Sequence, residues 1–128
     1  MTSSSLPDIG TPTRRALLRQ YKAARPPAGI FTLTNQTNGR VYVGGSLNLE
    51  GAMNRMRFEL NQRSHRNKVL QQDWLAAGPA QFVFAVVDRL KEQDDPHFDY
   101  QAELDTLLVL WRAEIPCHGE RGYHGARP

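Results

Sequence analysis

The sequence predicts an α/β chain of the α+β kind, in which a small, largely antiparallel three-stranded sheet is flanked by helices. Three observations carry that prediction. Two short β-rich runs, 30–34 and 41–43, lie on either side of Asn38-Gly39, a pair suited to the two positive-φ residues of a tight hairpin turn. A third run, 81–87, is almost continuously apolar, which gives it the character of a central strand. The segments between and after these runs repeat their apolar residues at helical spacing.

Taken in order, residues 1–10 are rich in serine and read as a flexible tail. Thr11-Pro12 has the form of an N-cap followed by proline at the first helical position. A basic helix is expected over 11–27, with Arg14, Arg15, Arg19, Lys22 and Arg25 beside an apolar stripe of Leu17, Leu18 and Tyr21. Its cationic face suits either solvent or a phosphate backbone. The domain proper is expected over 28–123, opening with the hairpin. Gly44-Gly45-Ser46 then leads to Asn48, a good N-cap with Glu50 in the first turn. Leu49, Ala52, Met53, Met56 and Leu60 form a core-facing stripe.

The loop 63–66 leads to Asn67, a second N-cap, and to a helix carrying Val69, Leu70, Trp74 and Leu75 up to Gly78-Pro79. After the apolar strand, 92–99 is an acidic connection. The last helix carries Leu104, Leu107, Leu108, Trp111 and Ile115, and Pro116 limits it. Residues 124–128 are expected to be a tail.

A length of 128 residues fits one domain, and 40% hydrophobic residues support a packed core. The net charge of +3 permits a nucleic-acid partner without requiring one. The single cysteine, Cys117, rules out an internal disulfide and suits a reducing compartment. No run of membrane-spanning length and no signal-peptide pattern is present, so a cytoplasmic protein is expected.

Gly29-Ile30-Phe31 and Tyr42-Val43-Gly44, with Asn38-Gly39 between them, the Ser46-Leu47-Asn48-Leu49 exit and the later His65-Arg66-Asn67-Lys68-Val69-Leu70, resemble the GIY-YIG nuclease family from about Gly29 to Tyr123. The resemblance implies metal-dependent phosphodiester cleavage. A tyrosine would act as base on water, an arginine would stabilise charge at the phosphate, and a glutamate would hold one divalent ion, usually Mg2+. Carried onto this chain, Tyr42 holds the tyrosine position of the second triplet, while Phe31 replaces the tyrosine of the first. The arginine position, ten residues after Tyr42, is Ala52, and the histidine position one turn further is Met56. The glutamate position, three residues before Trp111, is Leu108, and the late asparagine is His124.

Ala52 and Leu108 fall on apolar stripes and read as ordinary core. Losing one electrostatic stabiliser costs about 10²–10³ in rate, so the resemblance implies a DNA-binding scaffold with weakened or lost cleavage. His65 matches a histidine near the family's catalytic face and suits phosphate contact or ordering of the helix start at Asn67. Arg40, Arg57, Arg63, Arg66 and Lys68 are the expected nucleic-acid contacts. An alternative is an active endonuclease, dependent on Mg2+ or Mn2+, with a relocated site of Tyr42, Arg55, His65 and Asp105. A further alternative is a protein-interaction module marked by an exposed apolar patch.

Overall fold

The computed structural model describes residues 26–125. The expected tail 1–10 and the expected basic helix, apart from Pro26 and Pro27, lie outside the described residues. The strands are Gly29–Asn35 (β1), Val41–Ser46 (β2) and Phe82–Arg89 (β3). The helices are Leu49–Asn61 (α1), Lys68–Ala77 (α2) and Tyr100–Glu114 (α3). Asn48 and Asn67 cap α1 and α2 as expected, their side-chain oxygens accepting from Gly51 N at 3.0 Å and Leu70 N at 3.1 Å. Asp99 does the same for α3 through Ala102 N.

The sheet has three strands in the order β2-β1-β3, all antiparallel. The central strand is therefore β1, and the expectation that 81–87 is central is corrected. β1 is covered on both faces, and even Thr32 is buried there. β3 lies at the edge, with Val83 43% and Val86 36% exposed. Its continuous apolar run reflects packing on alternate faces, Phe82 and Phe84 towards one helix layer and Val87 towards the other.

The hairpin turn also differs from expectation. Gly39 has φ +76°, but Asn38 keeps a negative φ, so the connection is wider than a two-residue turn. Asn35 organises it: its N–H donates to Arg40 O, its carbonyl accepts from Gly39 N, and its side chain accepts from Thr37. Asn38 contributes through its side chain, which accepts from Arg40 N at 2.9 Å.

Two apolar clusters sandwich the sheet. Phe31, Leu33, Met56, Leu60, Leu70 and Trp74 fill the side of α1 and α2. Ile30, Val43, Leu104 and Cys117 fill the α3 side, with Leu107, Leu108 and Trp111 partly buried around them. The stripe on α2 is narrower than expected, since Val69 and Leu75 are 46% and 52% exposed. Gly29 is required by close approach: a Cβ there would run into the Asp88 carbonyl oxygen beside the irregularity in the β1–β3 register.

The outer edge of β2 is closed by residues 122–124 and Arg112 rather than by a strand. Tyr123 N donates to Val41 O, and Val43 N donates to His124 Nε2 at 2.8 Å. Val43 O accepts from Arg112 Nε and Nη2 at 3.1 and 3.0 Å. These bonds satisfy backbone groups that an open edge would leave to solvent or to another chain.

Candidate functional site

Beside the second triplet the elements enclose a cleft of about 600 Å³. Phe31, Tyr42, Gly44 and Gly45 come from the hairpin, and Ala52, Arg55, Met56 and Glu59 from α1. His65 and Arg66 close one end, while Leu108 and Arg112 form the α3 wall. Ala52 and Leu108, read from the sequence as ordinary core, are half-buried and line this open space. Their aliphatic stripes end at a cavity, which periodicity cannot distinguish from packed interior.

Tyr42 is half-buried and surrounded by rings. His124 lies 4.8 Å away in a tilted arrangement, Phe31 6.2 Å away, and His65 meets it edge-on at 6.4 Å. Phe31 belongs to the core and also packs on Phe84. Gly44 leaves room for the Phe31 ring: a Cβ at this position would stand 2.8 Å from Phe31 Cζ.

His65 is buried, with Nδ1 accepting from Asn67 N at 3.0 Å, so the neutral ring carries its proton on Nε2. Its backbone N–H donates to Gln71 Oε1, whose amide in turn donates to Leu60 O. Burial holds the His65 pKa below the ordinary histidine value; Glu59 opposes this and Arg66 adds to it. His124 is pushed further, to about 4, by burial first and then by Arg112 and His118. It is therefore a neutral acceptor for Val43 N–H.

The expected site residues separate into two groups. Tyr42, Arg55 and His65 share the cleft, and Arg66 joins them. Arg55 lies on the exposed rim, its Nε 3.3 Å from Glu59 Oε2. Asp105 does not line the cleft; it is exposed and accepts from Gln101 Nε2 at 2.8 Å. The relocated four-residue site is thus not assembled with Asp105. Arg40 is held at Asp73, 3.5 Å away, and over the Tyr123 ring. Arg57 stacks on Phe84 at 4.8 Å. Arg63, at φ +61°, ends α1, and exposed Lys68 begins α2; neither lines the cleft.

Arg112 and Glu59 are cleft residues that the sequence reading missed. Arg112 was detectable, since it lies one turn beyond Leu108 on the same helix face. Glu59 was detectable too, since it lies two turns beyond Ala52 on the same helix face.

The metal that the resemblance implies finds no fitting donor set. Its carboxylate position is Leu108, and the carboxylate that does line the cleft, Glu59, is paired with Arg55. Among the described residues no group of three or more His, Cys, Asp or Glu side chains is placed to hold an ion.

Among solved structures, the chain is similar to the catalytic domain of the homing endonuclease I-TevI, with a TM-score of 0.63 and 21% identity over 79% of this chain and 99% of that one. A variant of the catalytic domain of the intron endonuclease I-TevI gives 0.64 and 20%, over 77% and 92%. No family model and no curated protein matches the chain. The three-stranded antiparallel sheet with its three helices, and the cleft beside the second triplet, give this chain the fold of a GIY-YIG endonuclease catalytic domain.

Proposed function

We propose that this domain binds a nucleic-acid backbone, most simply DNA, in and around the cleft, and that its phosphodiester cleavage is lost or strongly weakened. The observation that carries the reading is the lining of the cleft. Tyr42 and His65 remain, while Ala52 and Leu108 stand where the resemblance implies the cationic stabiliser and the metal ligand. Cleavage needs a proton acceptor for water and positive charge where the phosphate becomes more negative. Binding needs only the positive charge, which Arg55, Arg66 and Arg112 supply. The DNA part rests on the fold likeness to a homing endonuclease domain. No helix among the described residues is long and apolar enough to cross a membrane. The single cysteine suits a cytoplasmic setting.

The test is nicking of supercoiled plasmid with Mg2+ or Mn2+, run beside a binding titration at several salt concentrations. The expected result is binding that weakens with salt and no nicking above a Tyr42→Phe control. Nicking that needs both the metal and Tyr42 overturns the reading. It would favour the second one, an active endonuclease, for which Tyr42, Arg55 and His65 already share the cleft.

A further inference from the structure

We infer that the cleft grips a phosphate group directly through guanidinium groups, with no bridging divalent cation, and that Glu59 is a built-in competitor for that phosphate. The inference rests on the proposed binding function and specifies its chemistry. On the α3 wall the resemblance would put a carboxylate, and this chain has Leu108 with Arg112 one turn on. The sign of the charge on that wall is inverted. Arg112 is held in place, since its Nε and Nη2 both donate to Val43 O, and it lines the cleft. A guanidinium ordered before binding loses little freedom when a ligand arrives.

Arg55 on α1 and Arg66 on the following loop line the same space, so three arginines and one glutamate surround it. His65 adds no positive charge while its ring is neutral. Mg2+ is ordinarily held by one or two carboxylates together with substrate phosphates. Here the single carboxylate is occupied by Arg55 at 3.3 Å, and a dication would enter among like charges. A phosphate meets the opposite balance, and arginine forks bind it through paired N–H donors. The space of about 600 Å³ admits a nucleotide-sized ligand. To bind there, the phosphate must take Arg55 from Glu59.

Glu59→Gln separates this account from a relocated metal site. The probe is a fluorescently labelled DNA oligonucleotide at low salt, in EDTA and then in Mg2+. The expected result is wild-type binding in EDTA that Mg2+ does not strengthen. Glu59→Gln should bind about threefold to tenfold more tightly in EDTA. Arg55→Gln and Arg66→Gln, both at exposed positions that preserve the fold, should each weaken binding by about the same factor. Binding that requires Mg2+ and disappears in Glu59→Gln overturns the inference and makes Glu59 a metal ligand.

No DNA binding in either buffer defeats the nucleic-acid reading alone. Pyrophosphate in EDTA then decides the site chemistry. A rise in melting temperature that Arg55→Gln and Arg66→Gln both reduce upholds the phosphate site, and no rise overturns it.

Discussion

Val43 has its two backbone polar groups held by side chains distant in sequence, His124 on the N–H and Arg112 on the carbonyl. The His124 ring also covers Tyr42, so the group that orders the strand edge orders the candidate catalytic residue too. This bond needs a neutral ring. The folded pKa, about 4, lies below the ordinary value near 6.5, so between these limits the unfolded chain takes up a proton that the folded one refuses. Stability therefore falls as pH drops from about 6.5 towards 4 and is insensitive to this group above that window. At a half-buried site the expected loss between pH 7 and 5 is about 1 kcal/mol after allowance for solvent screening. His124→Gln keeps an acceptor and cannot titrate. Urea midpoints at the two pH values should differ less in that variant than in the wild type. Some difference should persist, because His65 is shifted in the same direction.

At the scale of elements, the two hairpin strands fall where the sequence places them, although the turn between them is wider, and they are closely packed. Gly44 faces the Phe31 ring so tightly that a methyl group would have to displace a buried aromatic side chain. Gly44→Ala should cost about 1–3 kcal/mol in a denaturation experiment. In a Phe31→Leu background the added cost should be smaller, and equal costs in the two backgrounds would refute the contact. The helix caps at Asn48 and Asn67 were equally legible, because each rests on a bond within one turn. The centrality of 81–87 was not legible, because which strand lies in the middle depends on pairing between distant segments. Nor was the latch at Tyr123, whose hydroxyl donates to Asp73 at 2.7 Å and accepts from Asn35 at 3.2 Å. Tyr123→Phe should cost about 1–2 kcal/mol, read as a lower urea midpoint, because Asn35 and Asp73 lose a partner they share.

Across the whole molecule, the fold is that of a GIY-YIG endonuclease catalytic domain, while Ala52 and Leu108 stand where the resemblance implies an arginine and a glutamate. These two positions were readable from spacing, but their setting was not. Both face a cavity formed only when α1 and α3 close over the hairpin. Arg112 decides what placing those charges here would do. A glutamate at 108 would lie one turn from Arg112, the i,i+4 arrangement in which the two charges pair with each other. Leu108→Glu alone should therefore form an ion pair and gain little affinity for Mn2+. Combining it with Arg112→Gln keeps a donor for Val43 O and frees the new carboxylate, so Mn2+ should then raise the melting temperature. Adding Ala52→Arg to that pair places a cation at the position where the resemblance implies one, and this triple variant is where metal-dependent plasmid nicking should first be detectable. If Leu108→Glu alone binds Mn2+ as well as the double variant does, Arg112 does not govern the charge of the cleft. If the triple variant binds metal and still leaves plasmid intact, Phe31 and Met56, where the resemblance implies a tyrosine and a histidine, are the next positions to change.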